Sequence, residues 1–528
     1  MLEIFELLIC LETIDQDTIL NDSKPVIAEI DNAFFSLILS HERANLARPL
    51  AARYDFEIFG CDSTQAFLQP EIPLHMKGKI LVRVPRDIEI EGYQAGELRE
   101  LSKLIYGTKQ SAKVWFDHIT AIILDYKNLG VEEISVSSKD LCFFFMFMEG
   151  KIALVPVVMV DDILGAGRED VWNDFFTYLK TRVKVTGGGK ISVWNGLEIR
   201  KTPDGYAVSQ SKQVKNMLAT IQTEFGKLQS FSTPESVASR NQSSKTQMQV
   251  DDETLDEKIV CKFQTILGRV TYVSSRSRPD IAHATNRLGQ VSHRASETNQ
   301  LALDRLVGYL NENPEKELYF RKGSAITMAV FADTSFGNEE FYAQEMDLGK
   351  KSTSGLVALL NGAAVSWKSK LQSVVADSTG YAETIAAHEA LKEVKYLKLF
   401  LEEMKVRVDP IPMFFDASNT VSNLLHCNSF KQNGVKFHEL KVSAGYQYVK
   451  EKLVHPILVR SAENIADALT KSMICSGERF EQLTERYFGS QDYEEWIIGL
   501  IRNNFRSALS DVVPDMEEFV SQWLRNTR

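Results

Sequence analysis

The segment Ile152-Ala-Leu-Val-Pro-Val-Val-Met-Val-Asp161-Asp162-Ile-Leu-Gly-Ala-Gly167 constrains the fold of this chain more than any other. A β-branched apolar run, two adjacent aspartates and a second apolar run ending in glycines read as a hairpin with carboxylates at its tip. Two like charges side by side are costly unless a cation neutralises them, so the pair points to Mg2+ or Mn2+ on hard oxygen ligands. Taken alone, an Asp-Asp pair is otherwise a solvated turn. A third carboxylate is available from Asp62 in Gly60-Cys-Asp62-Ser-Thr-Gln-Ala-Phe67-Leu, which follows the apolar segment Tyr54-Asp-Phe-Glu-Ile-Phe59. Three such carboxylates can hold two metal ions for in-line nucleotidyl transfer, one lowering the pKa of a 3′ hydroxyl and the other holding a triphosphate.

A second set of acids lies downstream. Met328-Ala-Val-Phe-Ala-Asp333 is an apolar strand ending in an aspartate, and Pro412-Met-Phe-Phe-Asp416 is another. Ala376-Asp-Ser378-Thr-Gly-Tyr-Ala-Glu383 puts a glutamate in the first turns of an amphipathic helix that runs through Leu399, and Asn464-Ile-Ala-Asp467 opens a late helix. Acids at strand and helix ends can converge, although each one alone is a cap or a surface charge. Glu389 competes with Glu383, and at about 3.6 residues per turn the two lie on different faces of that helix. Between these acids, Leu356-Val-Ala-Leu-Leu360, Asn361-Gly362 and Ala363-Ala-Val-Ser-Trp367 predict a hairpin with a type I′ turn.

Across its 528 residues the chain is 44% hydrophobic and 25% charged, enough for two to four domains. Its six cysteines (Cys10, Cys61, Cys142, Cys261, Cys427, Cys475) are scattered singly, which fits a reducing compartment and excludes a zinc knuckle or a disulfide scaffold. Met1–Cys10 is apolar but carries Glu3 and Glu6, so it reads as a buried helix. No uncharged stretch approaches the roughly 18 residues that span a membrane, so the chain is expected to be soluble. The net charge of −11 excludes a protein that coats nucleic acid but leaves room for a local basic channel. Candidates for such a channel are Arg269, Arg276, Arg278 and Arg287, and the group Lys180, Arg182, Lys184 and Lys190 around Gly187.

Asp62-Ser-Thr-Gln-Ala-Phe67-Leu, Leu104-Ile-Tyr106-Gly107-Thr-Lys109-Gln110-Ser-Ala-Lys-Val-Trp115, Met159-Val-Asp161-Asp162, Trp194-Asn-Gly196-Leu-Glu-Ile199 and Arg278-Pro279-Asp280-Ile281 occur in that order. Together they resemble copia-type (Pseudoviridae) LTR retrotransposon Pol polyproteins, specifically their reverse transcriptase. The acids Asp333, Glu383, Asp416 and Asp467, with Lys350-Lys-Ser-Thr-Ser-Gly355 and Val365-Ser-Trp367-Lys-Ser-Lys370 between them, resemble the RNase H of the same elements. The resemblance runs from about residue 45 to 475.

The resemblance implies an α/β and α+β multidomain fold. Residues 1–48 would be an N-terminal helical segment with the fingers largely missing, and 49–225 a reverse transcriptase palm, an antiparallel sheet with helices. Residues 226–320 would be a linker and thumb/connection helices and 321–475 an RNase H-like mixed α/β domain, while 476–528, beyond the resemblance, reads as a helical tail that no motif places. The run Ser230–Glu257 reads as linker or surface loop.

It also implies catalytic metal ligands, Asp62, Asp161 and Asp162 in one site and Asp333, Glu383, Asp416 and Asp467 in the other, with two Mg2+ or Mn2+ ions per site. Phe67 would exclude a 2′-hydroxyl from the incoming nucleotide, or simply pack in a helix. Tyr106 and Gly107 would lie beneath the nucleotide, while Lys109 and Gln110 either bind it or fix the loop. His438 would assist product release, or be an ordinary helix histidine. Two departures stand out. Met159 replaces the family's usual tyrosine, and the family's basic Lys-Ala-Arg-Leu-Val-Ala-Arg-Gly segment is not found ahead of Asp62, where only His41-Glu-Arg43-Ala-Asn-Leu-Ala-Arg48-Pro-Leu-Ala-Ala picks up after the point it would occupy.

The function implied is RNA- and DNA-directed DNA synthesis plus cleavage of RNA in RNA/DNA hybrids. The alternative is a truncated or domesticated remnant, acting as a nucleic-acid-binding or structural protein or as RNase H only. Expected partners are an RNA template, a DNA primer, the RNA/DNA hybrid, dNTPs and the element's capsid and integrase, with no membrane. The expected location is a cytoplasmic virus-like particle or the nucleus.

Overall fold

The computed structural model of the chain describes residues 11–12, 47–84, 94, 96–235, 255–322, 326–337, 351–408, 410–426, 436–472, 477–489, 491–505 and 516–525. Met1–Cys10, His41, Arg43, Lys350, the polar run 241–247 and Cys10, Cys427 and Cys475 lie outside the described residues. The described residues fall in two compact units, one drawn from 1–44 and 56–191 and the other from 45–55 and 192–528.

The first unit is built on six strands. These are β1 (Glu57–Ser63), β2 (Glu133–Val136), β3 (Phe144–Met148), β4 (Lys151–Met159), β5 (Asp162–Gly167) and β6 (Val185–Lys190), in sheet order β2-β3-β4-β5-β1-β6. Every neighbouring pair is antiparallel. All of β4 beyond Lys151 is buried, as its unbroken apolar run requires. Helices α1 (Ser111–Leu124) and α2 (Glu169–Arg182) supply Trp115, Ile119, Ile123, Trp172, Phe175 and Leu179 to one core with Phe59, Leu154 and Ile163. Trp172 stacks on Phe59 at 5.3 Å and on Phe176 at 6.2 Å, contacts worth ~0.5–1.5 kcal/mol each beyond area burial.

A smaller sheet pairs Leu81–Arg83 with Leu98–Leu101, and Leu98–Leu101 with Leu11–Glu12. Of the N-terminal stretch expected to be helical, Leu11–Glu12 is therefore a strand, while Ala47 and Arg48 open a helix that runs to Tyr54. A short apolar run does not distinguish helix from strand by itself, and here the free ladder edge of Leu98–Leu101 decides.

The second unit opens with a four-stranded antiparallel sheet, β7 (Val193–Trp194), β8 (Leu197–Thr202), β9 (Gly205–Ser209) and β10 (Leu318–Arg321). Helices α3 (Ser211–Phe225), α4 (Glu257–Arg276), α5 (Ala282–Val291) and α6 (Glu297–Glu312) share a core that includes Met217, Phe263, Val270, Leu288 and Leu306. Residues 192–225, expected to belong to the palm, thus join the second unit. The partner strand β10 and the helices that bury α3 are remote in sequence, so no local pattern announces this. Glu235, inside the expected surface linker, is half-buried and receives His283 Nδ1 at 2.8 Å and Arg287 at 3.3 Å, which hold its carboxyl down to about 2 against the cost of burial.

The rest of the second unit is a five-stranded mixed sheet of β11 (Met328–Ser335), β12 (Thr353–Leu360), β13 (Ala363–Leu371), β14 (Ile411–Phe415) and β15 (Val454–Leu458). Its order is β13-β12-β11-β14-β15, antiparallel on one side of β11 and parallel on the other. Helices α7 (Thr379–Glu403), α8 (Ser418–His426) and α9 (Lys436–Lys450) follow their strands. The predicted hairpin forms at Asn361-Gly362, whose φ values of 50° and 91° are those a type I′ turn requires and glycine adopts without strain.

The C-terminal helices α10 (Gly477–Glu485), α11 (Tyr493–Phe505) and α12 (Met516–Arg525) are integral to this unit. Trp496 stacks on Phe331 at 5.4 Å, and Trp523 Nε1 donates to the Met328 carbonyl at 3.1 Å. No described helix is long and apolar enough to cross a membrane.

Candidate active sites

In the mixed sheet, Asp333 lies near the end of the central strand β11, Asp416 directly follows β14, and Glu383 points in from the second turn of α7. Parallel neighbours end on the same edge, so β11 and β14 deliver their aspartates together. Ser378 caps α7 by accepting from Tyr381 N, fixing where the helix starts and hence where Glu383 falls. Carboxylate oxygens of Asp333, Glu383 and Asp416 all lie within 4.8 Å of one another, the one such group of three among the described residues. Glu389 is exposed and paired with Lys392, so the choice between the two glutamates falls to Glu383.

Asp467 sits in a short 3-10 helix, Ile465–Leu469, rather than an α-helix. Asn464 caps that turn by accepting from Ala466 N at 3.2 Å, and its amide donates to the Ala332 carbonyl at 3.0 Å, anchoring the turn beside Asp333. Asp467 is not one of the three clustered acids. Its carboxylate receives Lys471 Nζ at 2.8 Å, Arg479 at 3.0 Å and the Ser461 hydroxyl at 3.1 Å. Thr470 donates to Oδ2 of Asp333.

Sequence reasoning missed Thr470, Lys471 and Arg479, although Lys471 at i+4 from Asp467 was a readable signal. It also missed the role of Gly355. This glycine is the cross-strand partner of Asp333, and a Cβ there would meet Thr470 Cγ2 at 2.6 Å and Leu469 Cβ at 2.9 Å.

Burial, with Asp467 and Asp416 beside it and Lys471 opposing, pushes the Asp333 carboxyl up to about 7. Burial and the neighbouring Asp333 and Asp416 push Glu383 up to about 9. Crowded carboxylates that resist ionisation are a charge deficit for a cation, and three hard oxygen donors suit Mg2+ or Mn2+. The residues present therefore fit a divalent ion. His438 is in the first turn of α9, and its side chain lies outside the described residues.

In the first unit, Asp62 and Asp162 are direct partners across the β1–β5 ladder, and Asp161 occupies the two-residue turn before β5. Ser63 N donates to the Asp161 carbonyl at 2.7 Å, closing the three acids onto one end of the sheet. Burial and Asp161 raise the Asp62 carboxyl. Burial, Asp161 and Asp62 raise Asp162. Burial, with Asp62 and Asp162 beside it, pushes the Cys61 thiol up to about 12. This oxygen set also fits a divalent ion, although the three are not drawn into a group as tight as the one around Asp333.

Phe67 is buried in a 3-10 turn, Ala66–Leu68, and its ring meets Tyr106 at 4.5 Å. Tyr106 and Gly107 are exposed beside it, and Gln110 immediately precedes α1. Two sequence readings thus merge, since the aromatic after the first acid packs on the tyrosine of the next motif.

The arginine group does not form an open cationic track. Arg278 is buried and holds Asp280 through two hydrogen bonds at 2.9 and 2.8 Å, while Arg287 binds Glu235 and Ser472. Arg269 is exposed. In the lysine-rich group, Arg182 pairs with Asp125 at 3.1 Å and Lys190 with Glu169 at 3.0 Å.

Residues 26–234 match the family model described as reverse transcriptase (RNA-dependent DNA polymerase), beginning upstream of the first recognisable motif. The retrovirus-related Pol polyprotein from transposon RE1 of Arabidopsis thaliana is 25% identical over 380 residues, 71% of this chain and 24% of the relative. That from transposon TNT 1-94 of Nicotiana tabacum is 24% identical over 446 residues, 83% of this chain and 31% of the relative. The chain spans about a quarter to a third of the length of these relatives. Among solved structures, LC11-RNase H1 in complex with RNA/DNA hybrid is similar at 14% identity and a TM-score of 0.20, covering 28% of this chain and 93% of that one.

Proposed function

We infer that this chain, whose residues 26–234 belong to the reverse transcriptase family within a copia-type retrotransposon Pol, cleaves the RNA strand of RNA/DNA hybrids and copies RNA and DNA templates. The observation that carries the nuclease half is the convergence of Asp333, Glu383 and Asp416 at one edge of a five-stranded sheet, with oxygens within 4.8 Å. Divalent ions held there, two per site in this proposal, would lower the pKa of a water and stabilise the leaving 3′ oxygen. The chain's own contribution is to fix the three carboxylates and to keep Asp333 and Asp467 bridged by the Lys471 ammonium.

The synthetic half rests on Asp62, Asp161 and Asp162 as ligands, with Phe67 and Tyr106 forming an aromatic wall where a nucleotide sugar would lie. Phe67 excludes a 2′-hydroxyl by bulk, and its packing on Tyr106 holds it in place. The partners proposed are a template, a primer, dNTPs and the hybrid product, with Mg2+ or Mn2+ as cofactor.

A nuclease acting without polymerisation is the second reading. It is favoured by the tighter acid group in the second unit. Metal-dependent assays on a primed RNA template and on a preformed hybrid distinguish the two. Extension with cleavage supports the bifunctional reading, cleavage alone the second, and neither activity in folded protein contradicts both.

A further inference from the structure

Val160 adopts φ 56°, in the left-handed region that a β-branched residue enters only under strain. It is the first of the two residues linking β4 to β5, since Met159 pairs directly with Asp162. Turns of this length normally place Gly, Asn or Asp at such a position. Something outside the turn must therefore hold the conformation. The Trp115 indole N–H donates to the Val160 carbonyl from 45 residues away in the chain.

Trp115 is 1% exposed and sits in the core with Phe59, Cys61 and Phe67, so its ring cannot swing aside. Ser63 N takes the next carbonyl of the turn, that of Asp161. Both peptide oxygens of the turn are thus held by groups remote in sequence.

We propose that Trp115 is a positioning residue for the metal-ligand pair Asp161–Asp162, its indole N–H locking the strained Val160 turn in the geometry that presents both carboxylates beside Asp62. This rests on reading those three acids as a metal site. Trp115 also stands in the second turn of α1, the helix entered directly from the Tyr106–Gln110 loop. The one ring therefore ties the loop on the nucleotide side to the turn that carries the ligands.

The test is Mn2+ binding, read by electron paramagnetic resonance, in full-length protein carrying Asp333→Asn and Glu383→Gln so that the other acid group is disabled. Asp161→Asn with Asp162→Asn, in the same background, should abolish binding. Trp115→Phe keeps the ring and removes the N–H, and should weaken Mn2+ binding about tenfold, on the scale of one strained residue. Adding Val160→Gly to Trp115→Phe should restore most of the affinity, because glycine holds a positive φ without help.

An unchanged affinity in Trp115→Phe, with the aspartate double variant inactive in binding, overturns the proposal and leaves the metal site standing. A loss that Val160→Gly does not restore, in protein whose near-UV circular dichroism is unchanged, also overturns it. Absence of any Mn2+ that the aspartate double variant removes overturns the reading of the site and the proposal with it.

Discussion

Lys471 holds its ammonium 3.3 Å from Oδ2 of Asp333, the most deeply buried of the three clustered acids. The same ammonium is 2.8 Å from Asp467. Burial opposes its charge, but the two aspartates prevail and raise its pKa. One tethered cation thus already serves two of the acids that a divalent ion would use, and it lowers the Asp333 carboxyl from where burial alone would put it.

Lys471→Met should therefore move the acidic limb of Mn2+ binding at this centre to higher pH, because Asp333 then ionises above its present value of about 7. At pH 9, with no ammonium competing for Asp333, the variant should bind Mn2+ several-fold more tightly than the parent. Calorimetric titration across pH measures both effects, and an unmoved limb would contradict the assignment.

Glu383 predicts a stability effect of definite sign. Its folded pKa of about 9 lies above the unfolded value of about 4.3, so the folded state binds the extra proton between those limits. Stability from this group is fully present below the lower limit and is lost as pH rises toward 9. In chelator, Glu383→Gln should raise the melting temperature by a few degrees at pH 8 and leave it nearly unchanged near pH 4. Added Mg2+ should narrow the gap at pH 8 by stabilising only the parent.

Gly355 offers a steric test, because a methyl group there collides with the segment carrying Asp467. Gly355→Ala should cost about 1–3 kcal/mol in denaturant unfolding. It should also lower hybrid cleavage at saturating Mg2+, since Thr470 must move away from Asp333. Unchanged cleavage would mean that the turn can shift without cost to the site.

Arg278 and Arg269 separate structural from phosphate-facing charge. Arg278→Met leaves Asp280 buried without its cationic partner and that partner's two hydrogen bonds, and should cost about 3–5 kcal/mol, measured by equilibrium unfolding. Arg269→Ala should leave stability nearly unchanged and reduce the salt dependence of hybrid binding by about one counterion. The reverse pattern would reinstate Arg278 as a nucleic-acid contact.

The sequence revealed local features well and remote pairings poorly. Asn361-Gly362 and the Asp161–Asp162 tip were readable because each hairpin carries its turn chemistry within a few residues. Glu383 was preferred to Glu389 through the resemblance, since helical geometry says only that the two cannot share a face. The membership of β7–β9 in the second unit was not readable, because it depends on β10, more than a hundred residues downstream. Arg278 looked like a surface cation because sequence does not show that Tyr309 and Asp280 enclose it. Asp467 matched its motif, but its salt bridges to Lys471 and Arg479 come from side chains whose convergence only the folded chain displays.

The central claim is that Asp333, Glu383 and Asp416 form a live nuclease centre. Its most direct test is Mg2+-dependent cleavage of a labelled RNA/DNA hybrid by the purified chain, beside Asp333→Asn prepared identically. The account predicts cleavage of the RNA strand that needs the metal and disappears in the variant. Cleavage that persists in Asp333→Asn, or none at all in well-folded parent protein, would contradict it.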